Sequence, residues 1–144
     1  MSLIKTMPAF NRALSFTPRI SNSISAKIIS TAGKLTIGYG RNIEDVGISR
    51  NEALFLLQED IKKVRLALHE KLPFFKNLND GRQNALINMG FNLGVNGLLQ
   101  FKNTLALMSA GKYEEASRNV LLSKWATQVG TRAFRISKQL KDGF

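Results

Sequence analysis

The chain has 144 residues, enough for one packed core or for two small lobes sharing a helix. It contains no cysteine and a single histidine, His69, which excludes a disulfide framework, a thiol nucleophile, a thiolate metal site and any multi-histidine metal centre; no metal and no cofactor are expected. Lys and Arg outnumber Asp and Glu by 21 to 10, a net charge of +11, so the partner that composition favours is an anionic polymer: bacterial wall material, an acidic membrane surface or nucleic acid.

Taken in chain order, Leu3, Ile4, Met7, Phe10 and Leu14 recur at helical spacing and predict an amphipathic helix. Pro8 must then lie in its first turn, and Pro18 ends it or opens the next short element. No stretch approaches the roughly 18 consecutive apolar residues of a membrane span, and the first residues lack the apolar centre of a secretory signal. Lys5, Arg12 and Arg19 among Ser and Thr suit a solvated basic helix, and the same composition also suits an organelle transit peptide.

From Ser23 the pattern changes. Ile24, Ile28, Ile29, Leu35, Ile37 and Tyr39 suit short strands, with Thr31 to Lys34 as a turn between two of them. Gly38, Gly40 and Gly47 mark a small, loop-rich lobe. Ser49 followed by Glu52 is a capping-box pair, and behind it Ala53, Leu54, Leu57, Ile61, Val64, Leu66 and Leu68 keep a helical period to about His69, before Pro73 breaks it. Asp80 to Leu93 predicts a helix with Ala85, Leu86, Met89 and Phe91 on or near its apolar face, broken by Gly94 and Gly97. Leu98 to Met108 predicts another, closed by Gly111, followed by helices over Tyr113–Trp125 and Thr131–Leu140. The fold class that follows is α+β and mainly α.

Ala32-Gly33-Lys34-Leu35-Thr36-Ile37-Gly38-Tyr39-Gly40-Arg41-Asn42 resembles the active-site hairpin of phage lysozymes of the T-even type. The likeness runs over roughly residues 10–144 and is densest in three blocks, residues 33–42, 85–105 and 113–135, the last holding Trp125, Gln128, Arg132 and Arg135 at the family's spacing. It implies a single lysozyme-like domain, residues 1–144: a β-hairpin lobe over about 10–50, a connecting helix over about 49–69 and an all-helical lobe over about 70–144. It also implies a cleft for peptidoglycan, with Phe91, Asn92, Thr104, Asn119, Gln128 and Arg132 at positions where relatives contact or border substrate.

The same resemblance exposes a gap. In active relatives a Glu stands fifteen residues before the Thr and protonates the glycosidic oxygen, while an Asp or Cys six residues before it works with the Thr on the attacking water. Counting back from Thr36 reaches Ser21 and Ser30, and no Asp or Glu occurs anywhere before Glu44. An oxocarbenium-like transition state needs a proton for the leaving group and an anion or base across the ring. A serine hydroxyl is too weak an acid for the first task and carries no charge for the second; losing one positioned acid or base costs on the order of 100- to 10,000-fold.

The expectation is therefore a lysozyme-like protein without hydrolytic competence, with Thr36 as a remnant, retaining peptidoglycan binding or a structural or regulatory role. One alternative is an active muramidase using another carboxylate, Glu44 or its neighbour Asp45. The other is a basic scaffold for a protein partner or nucleic acid; the basic residues are scattered rather than clustered, which disfavours nucleic acid. Such a protein is expected to be a monomer, made in a bacterial host or carried in a phage particle, and to act at the cell wall. Trp125 reads as a core anchor first and a sugar-stacking ring second. Arg132 and Arg135 suit wall carboxylates or a solvated basic helix equally.

Overall fold

The computed structural model describes residues 33–38 and 40–144, together with the backbone of 27–29. The expected helix through Leu14, Pro18, Ser21, Ile24, Ser30, the first half of the Thr31–Lys34 turn and Tyr39 lie outside the described residues. The architecture is α+β and mainly α, and it divides into two compact units, residues 1–53 and 54–144.

In the first unit, strands β1 (Lys27–Ile29), β2 (Leu35–Ile37) and β3 (Arg41–Asn42) form an antiparallel sheet in that order. Thr36 stands opposite Ile28 on one side and Asn42 on the other. A one-turn helix α1 (Ile43–Val46) follows, capped by the Asn42 side chain, which accepts from the Asp45 amide at 3.2 Å. Strands this short cannot bury much apolar surface, so polar ties do the holding. Lys34 Nζ donates to both Asp45 oxygens at 2.5 and 2.6 Å, and the Leu35 amide donates to Glu44 at 3.1 Å.

Helix α2 (Arg50–Lys71) begins as its sequence signature requires: the Ser49 amide donates to Glu52 Oε2 at 2.7 Å and the Glu52 amide to Ser49 Oγ at 3.2 Å. Burial rises along its apolar stripe. Leu54 and Leu57 are exposed, Ile61 and Val64 are half-buried, and Leu68 is fully buried. Leu66 is exposed too, since it lies off that stripe.

The second unit continues with a short 3-10 turn (Phe75–Asn77), then α3 (Asp80–Leu93), α4 (Val95–Leu99), α5 (Lys102–Ser109), α6 (Tyr113–Leu121), α7 (Lys124–Val129) and α8 (Thr131–Asp142). Phe75, Leu86, Met89, Leu98, Met108, Ile136 and Leu140 are all essentially inaccessible and form its centre, with α8 packed on α3 and α6. Gly90 brings α3 close to α2: an added methyl would stand 2.9 Å from a Val64 methyl. Two expected helices are each divided in two. The Leu98–Met108 stretch breaks at Gln100 and Phe101, and Tyr113–Trp125 breaks at Leu122 and Ser123, where Ser123 caps α7 by accepting from the Ala126 amide at 3.1 Å. Gly97, expected as a breaker, lies inside α4.

Gly111 closes α5 as expected, at φ +73°; its amide donates to Met108 O at 3.2 Å and the Lys112 amide to Leu107 O at 2.9 Å, the paired bonds of a Schellman motif. Far along the chain, the start of α3 and the end of α8 meet. Asn79 Nδ2 donates to Gly143 O at 3.0 Å, and Arg82 donates to Leu140 O at 2.9 Å and Lys141 O at 2.6 Å while its guanidinium lies 3.7 Å over the Tyr113 ring. Among the described residues no helix is long and apolar enough to cross a membrane.

Candidate functional site

Thr36 sits on the middle strand, half-buried, and among the described residues its hydroxyl makes one long contact, of 3.4 Å, with Lys34 O. The first 53 residues contain three carboxylates, Glu44, Asp45 and Glu52, and each is tied into the framework around that hairpin. Glu44 receives the Leu35 amide beside Thr36. Asp45 receives the Lys34 ammonium and, at 2.8 Å, the Asn42 amide group. Glu52 receives both Arg41 nitrogens, at 2.9 and 3.2 Å, as well as the Ser49 amide. Arg41 also donates from Nε to Gly47 O at 2.9 Å, so its fork spans the loop before α2. The Ser49 backbone amide foremost, then the Ser49 hydroxyl and Arg41, hold the Glu52 carboxyl below its ordinary value.

In the second unit a polar surface forms around α3, α5, α6 and α7. Thr104, 1% exposed, donates its hydroxyl to Asn119 Oδ1 at 2.7 Å, so its polar atom stands behind Asn119. Both line a cavity of about 440 Å³, with Phe101, Lys102, Asn103 and Ser123 among the other walls. The Phe101 ring meets the Trp125 ring edge to face with centroids 6.0 Å apart, and Trp125 Nε1 donates to Asn92 Oδ1 at 2.7 Å. Trp125 is therefore a core residue that also fixes an exposed side chain; with 5% of its surface accessible it has no face to lay against a sugar.

The residues expected to border substrate thus fall into groups. Asn92, Thr104 and Asn119 are joined by contacts: Asn92 bonds Trp125, Trp125 meets Phe101, and Phe101 lines one cavity with Thr104 and Asn119. Phe91 is 47% exposed on the last turn of α3 and Gln128 is exposed on α7; neither lines a described cavity. Arg132 lines a different cavity, with Asn88 and Arg135. Ser21 and Ser30 lie outside the described residues. Sequence reasoning passed over Phe101, Lys102, Asn103 and Ser123 as site residues; apolar residues continue across the helix break at Gln100–Phe101, so no signal in the sequence marked them.

A hairpin carrying Thr36 and Ile37 on strand β2 and Gly38 at the turn, followed by a capped long helix and a helical unit, is the arrangement of a lysozyme-type protein. The phage lysozyme family model matches residues 22–141, a stretch that contains Ser30 and Thr36 and begins one residue after Ser21, and the chain belongs to that family. Over 143 aligned positions it is 32% identical to "Probable T4-type lysozyme 1" of Dictyostelium discoideum, covering 78% of this chain and 84% of that protein. It is 28% identical over 100 positions to "Probable T4-type lysozyme 2" of the same organism, covering 69% of this chain and 59% of the relative. It is 33% identical over 99 positions to the pre-baseplate central spike protein Gp5 of Enterobacteria phage T4, covering 67% of this chain but only 17% of that longer protein.

Proposed function

We propose that this protein binds the glycan of peptidoglycan and does not hydrolyse it. The observation that carries this reading is the commitment of every carboxylate in the first 53 residues: Glu44, Asp45 and Glu52 each hold backbone or cation partners around the hairpin, while serines occupy the acid positions that the family resemblance assigns. Thr36 is left beside them with a hydroxyl and no acid to work with. The polar surface through Asn92, Asn119 and the cavity at Phe101 supplies amides suited to sugar hydroxyl and acetamido groups. The basic net charge attracts the chain to an anionic wall.

One observation favours a second reading, an active muramidase: Glu44 is held by the amide of Leu35, immediately before Thr36. The deciding experiment is sedimentation with insoluble peptidoglycan beside a turbidity assay on the same sample. Co-sedimentation without clearing supports binding alone. Clearing overturns it, and loss of that clearing in Glu44→Gln would assign the proton to Glu44.

A further inference from the structure

Asn96 is the only asparagine of this chain that a glycine follows. It belongs to α4, whose five residues make little more than one turn. Asn96 is exposed, and its side chain has no hydrogen-bond partner among the described residues. The residue before α4, Gly94, has no side chain with which to cap it, so the first amides of the helix lack acceptors. The Leu98 amide is the first to find one, donating to Gly94 O at 3.0 Å. The Gly97 amide, one residue earlier, has no partner among the described residues.

An exposed carboxamide beside an unengaged backbone nitrogen holds the parts of a five-membered ring. That ring closes through Cγ, Cβ, Cα and the carbonyl carbon of Asn96 and the nitrogen of Gly97. Closure turns the Asn96 backbone away from its helical conformation, which a helix this short holds weakly. Glycine adds no Cβ to hinder the nitrogen. We propose that Asn96 is a site of spontaneous deamidation through this cyclic imide. The Gly97 nitrogen gives up its proton and bonds to Cγ; the Cγ–Nδ2 bond breaks, and the departing nitrogen takes up that proton as ammonia. Water then opens the ring. Attack at Cγ yields aspartate, and attack at the backbone carbonyl yields isoaspartate, whose chain runs through Cβ and Cγ. Nothing is oxidised or reduced, and none of this depends on what the chain binds.

Two aspartate–glycine pairs have the same connectivity without the same freedom. In Asp142-Gly143 the glycine amide is engaged, donating to Gln139 O at 2.9 Å. Asp80-Gly81 opens the 14-residue α3 between two tied neighbours: Asn79 donates to Gly143 O, and Arg82 to Leu140 O and Lys141 O. Asn88 and Asn103 are exposed as Asn96 is, but Met89 and Thr104 follow them and crowd the attacking nitrogen. The two products at residue 96 differ in what they do to α4. Aspartate adds a charge and keeps the backbone path. Isoaspartate lengthens the chain by one carbon immediately before Leu98, which is fully buried and whose carbonyl receives the Phe101 amide at 3.0 Å. With Leu98 anchored on one side and Gly94 on the other, the longer chain breaks the bond between them and loosens the segment that carries Phe101 into its cavity.

The test is to age the folded full chain in water enriched in heavy oxygen, at neutral and at mildly alkaline pH, and to map its peptides by mass. Heavy oxygen should enter at Asn96 at least tenfold faster than at Asn88 or Asn103, and faster at the higher pH, because the deprotonated nitrogen attacks. An enzyme that methylates isoaspartyl carboxylates should label the same peptide. Asn96→Gln should stop the reaction, since the larger ring closes far more slowly, and the exposed position leaves the fold intact. Gly97→Ala should slow it at least tenfold; the added methyl would stand 3.1 Å from Leu93 Cβ, so the glutamine variant remains decisive if this one misfolds. In the isoaspartyl fraction the Leu98 and Phe101 amides should exchange at least tenfold faster than in the unmodified chain. Reaction at Asn96 no faster than at Asn88 or Asn103, an aspartate product without isoaspartate, a rate indifferent to pH, or undiminished labelling in Asn96→Gln would each overturn the proposal. Unchanged exchange at Leu98 and Phe101 would overturn the opening of α4.

Discussion

The described parts of the two units are each held by different forces. In the first, the sheet and the start of α2 are fastened by exposed polar ties: Lys34 to Asp45, the Leu35 amide to Glu44, and Arg41 to Glu52. In the second, the fastening is apolar, with Phe75, Leu86, Met89 and Leu140 shut away from solvent. Polar ties at a surface contribute little net stability and respond to pH and salt; buried apolar surface contributes more and does not. The difference predicts one unit that responds to its medium and another that responds only to changes in shape.

The comparison is broken most severely from the apolar side. Phe75→Ala should cost about 3–5 kcal/mol and lower the thermal midpoint of the second unit, read by calorimetry; a loss below about 1 kcal/mol would mean that the core is not what holds that unit. Next in size is Gly81→Ala. A methyl there would overlap the backbone carbonyl of Gly143, and the expected penalty is about 1–3 kcal/mol, with faster hydrogen exchange at the end of α8. Unchanged exchange there would show that the chain end gives way freely.

Smaller changes sharpen the other side of the comparison. Glu52→Gln removes the charge that joins Arg41 to the capping box. Amides of the hairpin should exchange faster while the second unit's thermal midpoint stays put; a shifted midpoint would contradict the separation. Smallest of all is the acid response. Because the Glu52 pKa is lowered in the folded chain from an ordinary 4.5, its contribution is complete above that value and is lost as pH falls through the lower folded value. Ser49 and Arg41 resonances should move together in that acid range, and less in high salt; movement above pH 4.5 instead would assign the transition to another group.

Local signals were the legible ones. The Ser49–Glu52 box, Gly111 and the bounds of α3 follow from side chains acting within a turn or two, and the structure has them where the sequence put them. The breaks at Gln100–Phe101 and Leu122–Ser123 were not legible, because apolar residues continue across both and a period records which face is apolar, not whether the axis bends. The family resemblance groups Arg132 with Asn92 and Asn119 at the border of substrate; in the structure Arg132 lines a cavity with Asn88 and Arg135. The missing acids needed no structure at all: an absence of Asp and Glu before residue 44 is complete in the sequence.

The bond between Trp125 and Asn92 has one more consequence. An indole nitrogen can only give its proton, so the carboxamide of Asn92 is locked one way round, oxygen inward and nitrogen outward. Whatever docks at that point must arrive with a lone pair. Exchanging Asn92 for Asp would keep the inward oxygen and reverse the outward polarity, turning a spot that welcomes carbonyl oxygens into one that repels them.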